Sequence, residues 1–211
     1  MGQSASHRGR NIALAVLLIA AWLALDQATK AWVNSYDLGD LIAGPFLGLV
    51  QFTLVHNTGM AWGLLEDSTI ALGILSIVVV GILAIYLAVY SAEMNLAETI
   101  GCALVIAGGL GNAIDRFSLG YVVDFIEPVF IDFPVFNIAD TGVTCGFVLF
   151  ILGFVVRECA AEKKAKQAAE EAAGAATDAD PATEEADGQA AACETPAAPA
   201  SGAASESEAA R

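Results

Sequence analysis

The sequence predicts an α-helical membrane protein with four transmembrane helices and a small β element on one side of the membrane. The first observation is composition: 56% of the 211 residues are hydrophobic and the mean hydropathy is +0.63, which is too apolar for a soluble domain. The second is the presence of four apolar segments, at about 12–33, 69–90, 96–115 and 138–156. The third is an alternation of apolar and polar residues between these segments, which is typical of strands.

The first span follows a polar N-terminal segment, Met1–Asn11. Fourteen uninterrupted apolar residues, Ile12–Leu25, come next. A secretory signal peptide begins in the same way, but no A-x-A-like cleavage site with a polar flank follows, and the helical pattern continues through Asp26. A helix over 12–33 is about 33 Å long at 1.5 Å per residue, which is enough to cross a membrane.

Asp26 and Lys30 are four residues apart, so they share one helical face and can form an ion pair. One interpretation is a pair at the membrane interface, with the Lys30 side chain extended toward water. The other is a role in ordering an active site. The sequence leaves both open.

The alternation over Leu49–Val55 predicts a half-buried strand. His56–Gly59 is a turn signal, and Met60–Leu64 is predicted to return as a second strand. We therefore interpret His56 as a turn residue rather than a catalyst. Two aromatic side chains of this β element are expected at interfacial depth: Phe52 and Trp62.

The second span, 69–90, carries no charge, and the third, 96–115, is rich in glycine. Small residues in membrane helices indicate close packing against a neighbouring helix. Asn112, Asp115 and Arg116 end the third span at spacings of three and four, so they share one face. Such a helix end is commonly capped and paired, here Arg116 with Asp115, but apolar packing alone would not require Asn112.

The segment Tyr121–Ile126 is predicted to be a strand that ends by Pro128, and Phe130–Phe136 is another extended piece. The outer β element therefore comprises about 36–67 and 117–137. Beyond the fourth span, residues 158–211 form an acidic tail that is predicted to be disordered, apart from a frayed helical continuation near 160–173.

The net charge of −15 is unevenly placed. From Ala160 onward there are eleven acidic and four basic residues, a net charge of −7 for residues 160–211. This favours a soluble tail and argues against nucleic-acid binding. The four cysteines do not have metal-site spacing, and no metal site is predicted.

Basic residues predict the topology. Arg8 and Arg10 precede the first span, whereas the segment 36–67 contains no lysine or arginine. Four more basic residues follow the last span: Arg157, Lys163, Lys164 and Lys166. Both termini, 1–11 and 158–211, are then predicted to be cytoplasmic.

Asp124 on its strand and Asp140 in the first turn of the fourth span could face each other at the outer surface. Two carboxyl groups in a poorly solvated site share one proton and titrate as a unit. That is the machinery of aspartic peptidases, in which one member takes a proton from water and the other donates one, without a metal. The alternatives are that Asn137 and Asp140 only form a helix cap, and that Asp124 is an ordinary surface carboxylate.

Three motifs, in order between the apolar spans, resemble the lipoprotein signal peptidase (signal peptidase II) family: VHNTGMAWGLL at Val55–Leu65, GNAIDRFSLGYVVDFIEP at Gly111–Pro128, and FPVFNIAD at Phe133–Asp140. The resemblance covers about residues 12–157. It implies that Asp124 and Asp140 are the catalytic pair. It further implies supporting or substrate-binding roles for six polar residues: Asp26, Asn57, Asn112, Asp115, Arg116 and Asn137.

The resemblance also implies cleavage of prolipoproteins before their diacylglyceryl-modified cysteine, at the outer face of the bacterial cytoplasmic (inner) membrane. The implied fold is a four-helix membrane bundle with a small β-cradle on the outer face and a loop or short helix over the site. We expect no cofactor, a monomer, and membrane lipid as surroundings.

Two other classes of function remain open. In a carrier, a proton path could use four acidic residues: Asp26, Asp115, Asp124 and Asp140. Carriers commonly show repeated halves, however, and no internal repeat is visible in this sequence. In a structural subunit, neutralising Asp124 or Asp140 would affect assembly rather than chemistry.

Overall fold

The computed structural model describes residues 2–59 and 68–177. Within these residues, four helices are long and apolar enough to cross a membrane. A three-stranded antiparallel sheet accompanies them. The predicted fold class is therefore confirmed. The helices are α1 (Gly2–Val33), α2 (Thr69–Tyr90), α3 (Leu96–Ser118) and α4 (Ile138–Thr177).

Helix α3 is the central helix of the bundle. In the most apolar 18-residue stretch of α3, 67% of the residues are buried, whereas in the corresponding stretches of the other three helices 22% or less are buried. Glycines make this packing possible, because a Cβ atom at Gly101 would collide with the backbone of Phe150 on α4. A Cβ atom at Gly108 would likewise collide with the carbonyl oxygen of Ala139. The predicted role of these glycines in close helix packing is confirmed.

The sheet has the order β1-β2-β3, with β1 at Leu41–Phe46, β2 at Val50–Asn57 and β3 at Val122–Pro128. Strand β1 was not predicted. The interpretation of His56 as a turn residue was wrong, because β2 runs through Asn57 and pairs there with β3. The predicted returning strand at 60–64, and with it Trp62, lies outside the described residues.

After β3 the chain turns back on itself. The Phe136 amide donates to the Ile126 carbonyl oxygen at 3.1 Å, and the Ile126 amide donates to the Phe136 carbonyl oxygen at 2.7 Å. This bridge places the start of α4 beside β3. It is the local reason why Asp124 and Asp140, sixteen positions apart, come to one site.

Helix α1 begins at Gly2, ten residues before the predicted span. At the start of the predicted span, α1 contacts the link between α2 and α3. The Asn11 side chain is buried and donates to the carbonyl oxygens of Ser91 at 2.8 Å and Met94 at 2.9 Å. These contacts are too distant in sequence to be visible in a local pattern.

Two helices continue beyond their predicted spans. Helix α3 reaches Ser118, and α4 remains helical to Thr177, through the predicted frayed continuation. The rest of the predicted disordered tail, 178–211, lies outside the described residues. By contacts the chain divides into a unit Met1–Ala168, which holds every residue of the site, and a second unit, Ala169–Arg211.

Candidate active site

Asp124 lies on β3 opposite Val55 and is 2% exposed. Its two carboxyl oxygens each accept a hydrogen bond from a side-chain amide. Asn57 Nδ2 donates to Oδ2 at 2.8 Å, and Asn137 Nδ2 donates to Oδ1 at 2.7 Å. Strand β2 supplies the first donor and the residue before α4 supplies the second, so Asp124 is held from both sides.

Burial raises the pKa of Asp124 to about 7, and the neighbouring Asp140 carboxyl contributes to the rise. The amide donors of Asn57 and Asn137 and the ammonium of Lys30 act in the opposite direction and lower this pKa. Desolvation and like charge outweigh them. A carboxyl with this pKa exchanges its proton near neutral pH, which is suitable for general acid–base chemistry.

Asp140 lies in the first turn of α4 and takes part in a reciprocal helix cap. Its backbone amide donates to Asn137 Oδ1 at 2.9 Å, and the Asn137 amide donates to Asp140 Oδ2 at 3.2 Å. The predicted cap is therefore present. It does not exclude a second role, because the other oxygen of Asp140 accepts from Asn112 Nδ2 at 2.6 Å.

Asn112 and Asn137 connect the two carboxyl groups. Asn137 Nδ2, which contacts Asp124, also donates to Asn112 Oδ1 at 3.1 Å, and Asn112 Nδ2 contacts Asp140. The path from one carboxyl to the other thus passes through two side-chain amides. Asn137 is fully buried and Asn112 is 8% exposed, so water competes little for these contacts.

Both carboxyl groups line one cavity of about 480 Å³. That volume is within the range of sites that bind small molecules or short peptide segments. Asn57 and Arg116 also line it. The other lining residues belong to the start of the segment after β2, the loop before α4 and one face of that helix: Gly59, Phe133, Pro134, Val135, Phe136, Thr141, Thr144 and Cys145.

Next to Asn112, a buried ammonium contacts two further carboxylates. Lys30 Nζ lies 3.0 Å from Asp26 Oδ2 and 3.0 Å from Asp115 Oδ2. It also donates to Asn112 Oδ1 at 2.8 Å. The predicted pairing of Asp26 with Lys30 is confirmed. The interpretation of Lys30 as extended toward water was wrong, since its side chain is 3% exposed.

Arg116 has a different contact from the one predicted. Asp115 pairs with Lys30 on α1, and Arg116 Nη2 donates instead to the carbonyl oxygen of Gly59 at 3.3 Å. A helix-end pair of neighbours could be proposed from spacing, whereas the contact between α1 and α3 depends on their packing. Arg116 therefore links α3 to the segment after β2 at the edge of the cavity.

The structure brings the predicted site residues into one connected region, and it adds residues that sequence reasoning missed. Thr141 and Thr144 line the cavity. Thr144 is four residues after Asp140, so its spacing could have indicated a shared helical face, whereas the spacing of Thr141 could not. Gln27 was also missed; its amide donates to Asp26 and Asp115. Among residues 2–59 and 68–177, no three His, Cys, Asp or Glu side chains form a group that could hold a metal ion.

The fold and the site define a class: multi-pass membrane proteins in which a four-helix bundle and a small sheet hold paired carboxyl groups at one cavity. The signal peptidase (SPase) II family matches residues 18–156. The chain belongs to the signal peptidase II family, and it is accordingly a bacterial multi-pass membrane peptidase.

Relatives agree with this assignment. The chain is 37% identical over 141 residues to a lipoprotein signal peptidase of Streptococcus pyogenes serotype M5, covering 66% of this chain and 91% of that protein. It is 43% identical over 138 residues to a lipoprotein signal peptidase of Nostoc punctiforme, covering 64% of this chain and 85% of the relative.

Two solved structures share the fold. Both are described as a bacterial membrane enzyme studied by the in meso method, at 2.3 Å and 1.9 Å resolution. The first has a TM-score of 0.63 and 32% identity, covering 68% of this chain and 88% of the other. The second has a TM-score of 0.60 and 33% identity, covering 68% of this chain and 93% of the other.

Proposed function

We propose that this protein removes the signal peptide from bacterial prolipoproteins, cleaving before the diacylglyceryl-modified cysteine, with Asp124 and Asp140 as the catalytic pair. The observation that carries the proposal is that both carboxyl groups line one cavity and are joined through Asn112 and Asn137. The names of the relatives supply the substrate class.

In the proposed reaction the pair carries one proton. The ionised carboxylate takes a proton from water as the water oxygen attacks the scissile carbonyl carbon, and the protonated carboxyl donates its proton to the carbonyl oxygen. The tetrahedral intermediate then collapses. Its C–N bond breaks as the carboxyl that took the proton from water gives it to the leaving amine of the cysteine. The other carboxylate takes back a proton from a hydroxyl of the intermediate, and the signal peptide leaves with a new carboxyl group.

The surrounding amides support this chemistry by restricting the pair. Asn57 donates to Asp124 through Nδ2 and accepts the Gly59 amide at 3.0 Å through Oδ1, so its side chain is held at both ends. Asn137 does the same between Asp124 and the start of α4. Groups placed before the reaction need little reorganisation in the transition state.

The proposed site is at the outer face of the membrane, with both termini in the cytoplasm. Basic residues flank the first and last spans and are absent from 36–67, and such residues favour the cytoplasmic side of a membrane. A substrate anchored by its diacylglyceryl group diffuses in the plane of the membrane. It would reach a cavity between β3 and α4 laterally, without leaving the lipid.

The decisive experiment is cleavage of a diacylglyceryl-modified prolipoprotein by the purified protein in liposomes. We expect wild type to cut before the lipidated cysteine, and Asp124→Asn and Asp140→Asn each to abolish cleavage. Asp132→Asn is the matched control, because Asp132 is an exposed carboxylate on the loop between the two proposed catalytic residues. It should cleave at the wild-type rate.

Two results would contradict the proposal. If a folded Asp124→Asn or Asp140→Asn variant cleaved at a near-normal rate, that residue would not be catalytic. If wild type left the lipidated substrate intact, or cut an unlipidated substrate equally well, the proposed substrate class would be wrong. Circular dichroism and thermal unfolding of each variant establish that it is folded.

A further inference from the structure

Lys30 is the one cation buried at the centre of the polar interior, among the residues that the structure describes. Its side chain is 3% exposed, and it is surrounded by acceptor oxygens from two helices. Asp26 contributes from α1, whereas Asp115 and Asn112 contribute from α3. The ammonium has three protons, so these three contacts use its full hydrogen-bonding capacity.

Each of the two carboxylates that contact Lys30 accepts a hydrogen bond from the backbone amide of the residue immediately before a proposed catalytic aspartate. Asp26 Oδ1 accepts the backbone amide of Ala139 at 2.9 Å. Asp115 Oδ2 accepts the backbone amide of Val123 at 3.2 Å. One contact fixes the first turn of α4 and the other fixes β3, so the backbone on both sides of the cavity is held by carboxylates that share one ammonium.

The third contact reaches the carboxyl pair through a single side chain. Lys30 Nζ donates to Asn112 Oδ1, which directs the Asn112 nitrogen to Asp140 at 2.6 Å. The amide group of an asparagine can rotate by 180°, which exchanges the positions of its oxygen and nitrogen without changing its shape. A cation that donates to the oxygen fixes one of these two orientations. Asn137 Nδ2 also donates to the same oxygen, in agreement with this orientation.

We propose that Lys30 is a positioning residue for the reaction: its ammonium fixes Asp26, Asp115 and Asn112, and through them the placement of Asp124 and Asp140. This inference rests on the proposed function. Lys30 does not line the cavity and does not touch substrate in this role. Its effect therefore belongs to the catalytic step more than to substrate binding.

The charges around Lys30 make the effect measurable. The groups that face it are Asp26 on α1, Asp115 on α3, Asp124 on β3 and Asp140 on α4, with Arg116 as the other nearby cation. The Lys30 ammonium lowers the pKa of Asp124. Its removal should therefore raise that pKa, and the acid limb of the pH–rate profile should move to higher pH.

The first variant is Lys30→Met, which keeps the length of the side chain and removes the charge. Lys164→Met is the matched control, because Lys164 is exposed on α4. For Lys30→Met we expect kcat for the lipidated substrate to fall at least about tenfold with KM within about twofold, as removal of one hydrogen bond to charge predicts. The control should match wild type in kcat, KM and pH profile.

Lys30→Met leaves two buried carboxylates without a cation, which can prevent folding. A second comparison avoids this difficulty. Asp26→Asn/Lys30→Met has one buried carboxylate fewer, and its reference is Asp26→Asn alone, in which the amide oxygen can still accept the Ala139 amide. Within this pair the loss of the ammonium should again lower kcat at least about tenfold and move the acid limb to higher pH.

A readout without substrate separates this inference from the proposed function. The carboxyl infrared band of Asp124 can be titrated in the resting protein and assigned by its loss in Asp124→Asn. We expect the pH at the midpoint of this titration to rise when Lys30 is replaced by methionine. This titration tests the effect of the ammonium on Asp124 in the resting protein, whereas failure of wild type to cleave the prolipoprotein would overturn the proposed function. The two failures can therefore be distinguished.

Either of two results would overturn the positioning role. One is a wild-type kcat and pH profile in a folded variant that lacks the ammonium. The other is a lower kcat with an unchanged pH profile and an unchanged Asp124 titration, because that combination would mean that Lys30 contributes only to the stability of the fold.

Discussion

The side-chain amide of Asn137 forms hydrogen bonds with both proposed catalytic residues, through its oxygen with Asp140 and through its nitrogen with Asp124. Its oxygen accepts the Asp140 amide at 2.9 Å and so caps α4, while its nitrogen donates to Asp124 at 2.7 Å. Because the two ends of an amide are chemically distinct, these roles can be separated by substitution. An aspartate in this position would keep the acceptor and lose the donor, and an alanine would lose both.

We expect Asn137→Asp to lower kcat at least about tenfold, since loss of a hydrogen bond to a charged group costs about 1.5–3 kcal/mol. It should also lower the melting temperature, because it buries another carboxyl group against Asp124. Asn137→Ala should lose both activity and stability. The measurements are kcat and the melting temperature in detergent. Wild-type kcat in Asn137→Asp would show that the donor is unimportant.

Asn95 provides the control at the other end of the bundle. It caps α3 by accepting the Glu98 amide at 2.9 Å and does not line the cavity. Asn95→Ala should leave kcat unchanged and lower stability by about 1–3 kcal/mol, because it removes the cap and also the hydrogen bond from Asn95 Nδ2 to the Gly153 carbonyl oxygen at 2.7 Å.

Asp124 should make stability depend on pH. Its pKa is raised to about 7 from an ordinary value of 3.8, so the folded protein holds a proton that the unfolded chain releases above about pH 4. The stability that this carboxyl contributes is therefore present below its unfolded pKa and is lost as pH rises through about 7. The melting temperature of Asp124→Asn relative to wild type should rise between pH 4 and pH 8.

An exposed carboxylate should not have this effect. The difference in melting temperature between Asp132→Asn and wild type is expected to stay constant over the same pH range. A constant difference for Asp124→Asn as well would contradict the raised pKa.

At this scale, local spacing predicted part of the site and packing decided the rest. The cap between Asn137 and Asp140, and the pair of Asp26 with Lys30, lie within one helical turn and were readable from the sequence. The ion pair of Asp115 with Lys30 could not be predicted, because Lys30 lies 85 positions away from Asp115, whereas Arg116 is the next residue in the sequence. Spacing cannot decide between a near cation and a distant one.

Among the elements, α3 determines how closely the bundle can pack. Gly101 and Gly108 lie on its face toward α4, and a Cβ atom at either would meet backbone atoms of that helix. Backbone cannot move aside as a flexible side chain can. The two positions differ in distance from the proposed catalytic pair, because a Cβ atom at Gly108 would meet Ala139, the residue before Asp140.

We expect Gly101→Ala to destabilise the protein by about 1–3 kcal/mol, as overpacking does, and to lower the melting temperature. Gly108→Ala should in addition lower kcat, because it displaces the first turn of α4. Gly81→Ala is the control: no atom lies within 4 Å of a Cβ placed there, so stability should be unchanged or slightly higher. Equal stability of all three variants would argue against close packing of α3 on α4.

The elements that the sequence missed have physical explanations. Strand β1 contains Gly44 and Pro45 and lacks a strict alternation, so no strand pattern marks Leu41–Phe46. The polar start of α1 has no apolar periodicity; Asn11 holds it through contacts to the α2–α3 link. The four spans, in contrast, were predictable because length and hydropathy alone define them.

For the whole molecule, the basic residues predict which side each segment faces. In cells that produce a variant free of native cysteines, a single cysteine replacing Asp132 should react with a membrane-impermeant maleimide added outside spheroplasts. A single cysteine replacing Lys164 should react only after lysis. Both native residues are exposed. The opposite labelling pattern would reverse the proposed orientation.

The contact between Asp26 and Ala139 joins residues 113 positions apart, the first helix to the last. During synthesis α1 emerges long before α3 and α4, so Asp26 enters the membrane without the partners it has in the finished protein. Lys30, one turn away on the same helix, can neutralise it throughout that interval. The nascent first helix thus carries its own counterion until the later helices supply the other partners of Asp26.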